Sequence, residues 1–355
     1  MKAREDWVLW AVAAALSLVS LVALRSAAAT LNPSLVWRQG LWIVLGGGAA
    51  LLASRVAYHH WSHLAAPLYA AALLLLIAVE LAGTIKLGAA RWLMIGGVSL
   101  QPSEIAKLST ACVLARYLGH QSERLSLRHL LLSGGLVGVP AALILAQPDL
   151  GSASILWAMW LGVVWVAGMT RRQWLGLFVV GIGLLPVGWH LLHDYQRVRL
   201  SVFVNPQIDP LGAGYTIIQS MISIGSGQWL GRGWMAGTQN QLNFLPERHA
   251  DFLYSVIGEE WGFAGGVVVV GLFGCLIWRG VRIASDNSEP EGRLLATALV
   301  SWLSYQAIVN MGMVMGMCPV VGIPLPLVSY GGSAMVMTWI AIGLLQSIRR
   351  FGTRF

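Results

Sequence analysis

Residues 253–278 read LYSVIGEEWGFAGGVVVVGLFGCLIW and form the longest apolar run of the chain. A helix of about 20 apolar residues crosses the roughly 30 Å hydrocarbon core of a bilayer, so this run is long enough to span a membrane. Of the 355 residues, 57% are hydrophobic and 11% are charged, which excludes an ordinary soluble domain. The sequence predicts an all-α polytopic membrane protein with about ten transmembrane helices in a single integral membrane domain, residues 1–355. The predicted runs lie near residues 7–24, 39–56, 64–81, 104–119, 130–147, 152–168, 174–192, 253–278, 294–315 and 331–348.

The distribution of Lys and Arg predicts the orientation of these helices. With the N-terminus inside, basic residues gather in the segments that would face the cytoplasm. The short outer loops carry Arg25, Arg38, Lys86 and Arg91 alone. Both termini are then cytoplasmic, and residues 193–252 form one large extracellular loop. The net charge of +8 reflects contact of the basic residues with anionic membrane lipids, and no nucleic-acid partner is expected.

The large loop ends in the charged string Glu247-Arg248-His249-Ala250-Asp251, directly before the run at 253–278. Long loops on a rigid scaffold are more often functional than not. Desolvation at the membrane boundary can raise the pKa of a carboxyl such as that of Asp251, which suits a general base. An acid in the first turn of a helix is equally well explained by the helix dipole. Position alone leaves both explanations open, with Glu247, Arg248 and His249 as candidate supporting groups.

Glu259 and Glu260 follow inside the apolar run, where a charged residue is costly and usually functional. At 100° per residue, Glu259 lies about 80° around a helix from Asp251, and Glu260 about 180°. We therefore expect Glu259 to share the cavity face with Asp251 and Glu260 to pair with another helix.

Residues 88–107 place polar groups at the outer start of the fourth run: Arg91, Gln101, Ser103, Glu104 and Lys107. Glu104 and Lys107 are i,i+3 neighbours on one helix face. They could form a buried ion pair that locks the helix packing, or they could bind a phosphate-bearing ligand or tune Asp251. Arg91, just outside the membrane, could hold a phosphate. These interpretations are compatible with each other.

Two glycine-containing strings face the same side. QPDLGS at 147–152 favours a turn, and its position leaves room for Asp149 to support the site. GSGQWLGRG at 225–233 lacks the spacing and the βαβ context of a dinucleotide fingerprint. Its backbone amides and Arg232 could still meet a pyrophosphate, although a flexible loop explains each glycine equally well.

The segment 317–333 is rich in Pro and Gly at membrane depth. Irregular backbone is tolerated there when it is buried in protein or lines a cavity. We expect this segment to form a wall of the outer pocket, with Ser329 and Ser333 as its polar groups.

Several strings together resemble one family, the SEDS (shape, elongation, division, sporulation) membrane glycosyltransferases of bacterial cell-wall synthesis. The string GTQNQLNFLPERH resembles the elongation members more than the division members. Ala250 and Thr216 depart from the residues usual in the family, and neither departure removes an ionisable group. The matching strings are GAARWLMIGGVSLQPSEIAK, QPDLGSA, YQRVRLSVFVNPQIDPLGAGY, QSMISIGSG, NFLPERHADF, GEEWGF and GIPLPLVSYGGS.

The resemblance implies a ten-helix, multi-pass protein of the bacterial cytoplasmic membrane. It implies that lipid II, the undecaprenyl-pyrophosphate-linked substrate, is polymerised into glycan strands at the outer face, for elongation and rod shape. It also implies a complex with a class B penicillin-binding protein, a transpeptidase. The essential Asp of the family corresponds to Asp251, and its paired Glu and Lys correspond to Glu104 and Lys107.

The residues are consistent with this chemistry. A glycosyl pyrophosphate already carries a good leaving group, so transfer requires one base and positive charge, rather than the two opposed carboxylates of a glycosidase. A divalent cation, Mg or Mn, could join the pyrophosphate, with Asp149, Asp209 or Glu247 as candidate ligands, although the sequence contains no ligand motif. Two alternatives are a flippase for the lipid-linked precursor and a non-catalytic scaffold for the transpeptidase.

Overall fold

The computed structural model describes residues 5–29, 32–86, 89–96, 98–121, 125–192 and 194–352. The helices are α1 (Trp7–Ala27), α2 (Ser34–Arg55), α3 (Tyr58–His63), α4 (Ala65–Ala82), α5 (Pro102–Gly119), α6 (Leu127–Ala146), α7 (Leu150–Val166), α8 (Arg171–Leu191), α9 (Asp194–Val204), α10 (Ala213–Ser226), α11 (Thr238–Gln241), α12 (Leu253–Ser285), α13 (Pro290–Val314) and α14 (Gly332–Phe351). The ten predicted runs correspond to α1, α2, α4 to α8 and α12 to α14. Within the described residues, six of these helices are long and apolar enough to cross a membrane, and α4 and α7 are shorter apolar helices.

Contacts between helix ends define two faces of the bundle. On one face, the main chain of Asp6 binds the Gln346 side chain, and Arg279 Nε donates to Asp6 Oδ2 at 2.8 Å. On the opposite face, Gln39 Nε2 donates to the carbonyl oxygen of Ser329 at 3.0 Å. The start of α1 and the end of α14 therefore lie on the same face, which the charge pattern assigns to the cytoplasm.

Helix α13 forms the centre of the bundle. It packs against α5, α7 and α12 and buries Trp302 completely. Because lipid tails are as apolar as the helices, close packing in a membrane depends on small residues at the contacts. Gly162 of α7 is one of them, since a Cβ there would lie 2.1 Å from Ser301 Oγ of α13. A tightly packed α13 is a rigid support for side chains at its outer end.

A small antiparallel sheet precedes α5, which the all-helical prediction did not include. Its strands are β1 (Thr84–Lys86), β2 (Ala89–Ile95) and β3 (Val98–Leu100), in the order β1-β2-β3. Leu93 pairs with Leu100 across the second hairpin. The sheet closes because backbone groups at the membrane surface need partners, and it sets Arg91 of β2 beside the turn between α6 and α7.

The large outer loop is mostly helical within its described part, 194–252, where α9, α10, α11 and a 3-10 turn (Pro206–Ile208) follow one another. Helix α10 packs against the outer part of α12, and Ser220 of α10 is buried against Ser255. This loop is therefore a folded part of the outer wall.

The run at 253–278 is broken at Gly262, whose φ of 67° and ψ of −161° are non-helical. The loop after α10 satisfies the backbone groups that the break frees. Phe263 N donates to Gln228 O at 2.8 Å, and Arg232 N donates to Glu259 O at 3.0 Å. Breaks at membrane depth persist when neighbouring protein completes the hydrogen bonds in this way.

Candidate active site

Asp251 lies in a turn just before α12, and its side chain is half-buried. The segment 319–331 crosses in front of it. A Cβ on Gly322 would lie 3.4 Å from Asp251 Oδ2 and 3.9 Å from Arg199 Nη1 of α9. The carboxylate therefore lies beside a guanidinium in a gap that a larger residue at position 322 would narrow.

The charges around Asp251 adjust its acidity. Burial, the largest cause, together with the negative charge of Glu247, raises the pKa of Asp251 from 3.8 to about 6. Asp149 also raises the pKa, whereas Arg199 and Arg91 lower it. A carboxyl with a pKa near 6 is ionised at neutral pH and is more basic than an exposed one, as a general base requires.

A small cleft near Asp251 is lined by two arginines, Arg91 and Arg199, and Arg199 also lies close to the Asp251 carboxylate across Gly322. Arg91 Nε donates to Gln147 O at 3.2 Å, and its Nη2 donates to Pro148 O. Arg199 Nη1 donates to Val320 O at 3.4 Å. Each guanidinium is thus fixed at the rim by a backbone carbonyl. Two oriented guanidinium groups beside a base suit a ligand that carries phosphates.

Asp149 serves the fold and the site at once. Its side chain accepts a hydrogen bond from Ser152 N at 3.1 Å and caps α7, so the turn predicted for QPDLGS is confirmed. The buried carboxylate is also close enough to Asp251 to raise the pKa of that residue.

Glu104 and Lys107 form the buried ion pair that their spacing indicates, with 2.8 Å between Lys107 Nζ and Glu104 Oε1. Lys107 Nζ also donates to Gln306 Oε1 at 3.3 Å and lies 5.0 Å from the Trp302 ring centroid. Gln306 Nε2 in turn donates to Pro324 O at 2.7 Å. The pair therefore supports the inner side of the segment 319–331. Ser103 is buried beside it at the start of α5.

Gln101 and Ser333 join the sheet to the last helix. Gln101 N donates to Ser333 Oγ at 3.1 Å, and that hydroxyl donates to Ser99 O at 3.3 Å. Ser329 lies nearer to Asp251, because its Oγ donates to Ala250 O at 2.6 Å. Segment 317–333 thus forms part of the pocket wall as expected, and Pro319, Val320 and Val321 line the cleft.

Glu259 does not share a cavity face with Asp251, and that expectation was wrong. Its carboxylate accepts from Gln239 N at 2.9 Å and Asn240 N at 3.2 Å, at the start of α11. The helical angle does not apply, because Asp251 precedes the first residue of α12. Glu260 pairs with another helix as predicted, through Ser26 of α1.

Arg232 is likewise occupied by its own loop rather than by the cleft. It is exposed, and its Nε donates to Ser226 O at 3.3 Å and its Nη1 to Thr238 Oγ1 at 3.0 Å. In the structure Arg232 holds the loop after α10, and its role in pyrophosphate binding stays a prediction.

The three ionisable residues at 247–249, just before Asp251, make different contacts. Arg248 is buried, and its Nε donates to Ala27 O at the outer end of α1 at 2.8 Å, while burial lowers its pKa. His249 Nε2 lies 3.9 Å from Glu247 Oε2, and burial lowers the pKa of His249 despite that acid. Glu247 is partly exposed and faces the site, whereas Arg248 anchors the turn.

Sequence reasoning missed Arg199, Asn310 and Gly322 as parts of this site. Arg199 lies in the quoted string YQRVR, but α9 was taken as loop. Asn310 lies inside an apolar run, and its polarity at that depth was the signal that could have found it. The proximity of Gly322 to Asp251 is a long-range contact that no local pattern indicates.

Comparisons with known proteins show which family and which fold the chain shares. Residues 4–354 match the model of the cell cycle protein family FtsW/RodA/SpoVE. The peptidoglycan glycosyltransferase MrdB of Escherichia coli is 44% identical over 283 residues, which cover 79% of this chain and 76% of that protein. The rod shape determining protein RodA of Thermus thermophilus has a TM-score of 0.73 and 30% identity over 98% of both chains. A chain from a structure described as a peptidoglycan synthase complex that coordinates polymerization and crosslinking has a TM-score of 0.85 and 35% identity over 98% of both chains.

Proposed function

Because the chain belongs to the FtsW/RodA/SpoVE family of cell cycle proteins, we propose that the cleft beside Asp251 is where it transfers glycosyl groups. The chain is a multi-pass membrane protein of the bacterial inner membrane and a peptidoglycan glycosyltransferase that serves cell elongation. One observation carries the proposed site: the half-buried carboxylate of Asp251 and the Arg199 guanidinium meet at Gly322, and Arg199 and Arg91 line the cleft beside them.

The substrate we propose is lipid II, taken from the outer leaflet. A hydroxyl of the acceptor sugar attacks the anomeric carbon of the donor, and Asp251 accepts the hydroxyl proton. The new glycosidic C–O bond forms as the bond between the anomeric carbon and the pyrophosphate oxygen breaks. The electron pair leaves with the polyprenyl pyrophosphate, whose negative charge Arg91 and Arg199 stabilise.

The flippase alternative requires ionisable groups that line a path through the membrane. Glu104 and Lys107 instead neutralise each other in a buried pair. Glu259 and Glu260 are hydrogen-bonded to residues of α1 and α11. These contacts favour reaction at one face of the membrane over transport through it.

A divalent cation, Mg or Mn, remains a proposal. Among the described residues, no three His, Cys, Asp or Glu side chains are grouped to hold a metal ion. Asp209 accepts from Gly212 N in its own turn, whereas Asp149 and Glu247 face Asp251. A cation would therefore bind together with the substrate pyrophosphate, which would supply the remaining oxygen ligands. Loss of polymerisation in EDTA, restored by Mg or Mn, would support this proposal, and full activity in EDTA would exclude it.

We also propose a class B penicillin-binding protein as the partner. The support is the likeness to a chain of a complex that coordinates polymerization and crosslinking. Co-purification with the cognate transpeptidase, together with faster polymerisation in the complex, is the expected result. A transpeptidase that neither binds nor changes the rate would contradict it.

The function is tested with purified protein in vesicles that carry lipid II. Glycan polymer is expected when lipid II is in the leaflet that faces the outer end of α12, and no polymer would contradict the proposal.

The side of the membrane on which the large loop lies is measured in a background without Cys112, Cys275 and Cys318. An impermeant thiol reagent should label Leu211→Cys from outside, since Leu211 is 89% exposed, and should label Ser285→Cys only after permeabilisation. The reverse pattern would overturn the outer-face mechanism.

A further inference from the structure

Three consecutive main-chain carbonyls lead to the carboxylate of Asp251, and each one is hydrogen-bonded from another part of the chain. Tyr330 N donates to His249 O at 3.0 Å, and Ser329 Oγ donates to Ala250 O at 2.6 Å. Asn310 Nδ2 donates to Asp251 O at 2.9 Å. Residues 249–251 are in a turn, so they lack the hydrogen bonds of a helix or strand and depend on these donors.

Asn310 connects three elements. It lies in the last turns of the rigid helix α13 and is completely buried. The same Nδ2 that binds Asp251 O also donates to Ile323 O at 2.6 Å. Both neighbours are carbonyl oxygens, so the NH₂ group rather than the oxygen of the amide must face them. An apolar side chain of similar size would remove the donor from the buried carbonyl of Ile323 and from the part-buried carbonyl of Asp251.

Ser329 makes a similar hydrogen bond to the carbonyl of Ala250, the residue before Asp251. Its hydroxyl accepts from Leu325 N at 2.8 Å while it donates to Ala250 O. The segment 323–330 is therefore fixed to the turn before α12 by two side chains and one backbone group. That same segment continues from Gly322, which lies over the carboxylate of Asp251.

We propose that Asn310 is a positioning residue for glycosyl transfer, and that Ser329 assists it. Neither side chain needs to touch the substrate. Asn310 fixes the main chain of Asp251 to α13, so that the carboxylate stays beside Gly322 and Arg199. This inference rests on the proposed function, because it assumes that Asp251 is the base. Loss of alignment of a catalytic group by about 1 Å can cost on the order of 10²-fold in rate.

Gln346 provides a matched control for a purely structural role. It is also a buried amide on a membrane helix, and it makes two hydrogen bonds to backbone atoms of Asp6, at 2.9 and 2.6 Å. It lies on the opposite face, far along α14 from the cleft. Replacement of either amide by leucine removes comparable hydrogen bonds, so the two variants should lose similar stability.

The test compares kcat, KM and Tm for Asn310→Leu and Gln346→Leu, with lipid II as substrate. Asn310→Leu should lower kcat on the order of 10²-fold with KM within about twofold. Gln346→Leu should lower Tm similarly and leave kcat per folded molecule unchanged. Ser329→Ala, which removes the neighbouring bond, should show the same selective loss of kcat, and it decides the matter if Asn310→Leu does not fold.

Asp251→Asn is measured in parallel to separate two kinds of failure. If Asp251→Asn polymerises normally, the proposed base is wrong and the inference falls with it. If Asp251→Asn is inactive while Asn310→Leu or a folded Ser329→Ala keeps the wild-type kcat, the positioning role alone is wrong.

Discussion

Asp251 and Glu259 are both acidic residues near the outer start of α12, and the structure holds them in different ways. The carboxylate of Glu259 is the bonded group, since it accepts from two backbone N–H groups at 2.9 and 3.2 Å and from Ser223 Oγ at 3.2 Å. For Asp251, the main chain is bonded and the carboxylate faces Arg199 and the cleft. An acid whose carboxylate is saturated by its own chain stabilises the fold, whereas one held through its backbone keeps its carboxylate for chemistry.

The largest effect should come from Asp251→Asn, which keeps the shape and removes the base. Polymerisation should fall on the order of 10²- to 10⁴-fold. Folding raises the pKa of Asp251 from the ordinary 3.8 to about 6, so folding disfavours the ionised carboxylate. The free energy of unfolding therefore decreases as pH rises from 3.8 through about 6, and the full cost is present at pH 7. The Tm of Asp251→Asn at pH 7 should therefore be no lower than that of the wild type. A near wild-type polymer yield from Asp251→Asn would show that Asp251 is not the base.

The ion pair of Glu104 and Lys107 should behave as part of the fold. Removal of one partner leaves an unpaired buried charge, which costs about 3–5 kcal/mol. Glu104→Ala and Lys107→Ala should each reduce stability strongly, and the double variant should lose less than the sum of the two. Thermal unfolding of all three variants in detergent measures the coupling. Strict additivity would show that the two charges do not stabilise each other.

Glu259→Gln tests the other side of the comparison. The amide places an NH₂ group against donors of the loop, so about 1–3 kcal/mol of stability should be lost. Activity per folded molecule should stay close to wild type. Activity abolished at an unchanged Tm would mean that Glu259 belongs to the chemistry.

Gly322→Ala should give a smaller effect on rate. The backbone there has φ +69°, which costs an L-residue about 1–2 kcal/mol, and the added methyl would lie 3.4 Å from Asp251 Oδ2. A decrease in kcat of about tenfold is expected. Gly96→Ala is the matched control, since Gly96 has φ +58° with no described atom within 4 Å of its added Cβ. Equal losses of kcat in both variants would show that strain alone, and not crowding of the carboxylate, is the cause.

Much of the fold could be predicted from sequence, because transmembrane helices follow from local hydropathy. Each predicted run became a helix, and the i,i+3 spacing of Glu104 and Lys107 was sufficient to indicate their pair. The break at Gly262 could not be predicted, since it depends on hydrogen bonds from the loop after α10.

The site was predicted less completely than the fold. Asp251 followed from its position at the membrane boundary and from the family resemblance. Its environment depends on contacts between residues distant in sequence, such as Asn310 with Asp251 and Arg199 with Val320. Glu259 was misassigned because a helical angle was applied across a turn.

The pH dependence of polymerisation tests the role of Asp251 most directly. The base must be ionised, so the rate should fall as pH decreases through about 6. Arg199 lowers the pKa of Asp251, and Glu247 raises it. The acid limb should therefore move to higher pH in Arg199→Gln and to lower pH in Glu247→Gln, even where the maximal rates also change. A rate that is flat across this range, or a limb that neither variant moves, would contradict the assignment of Asp251 as the general base.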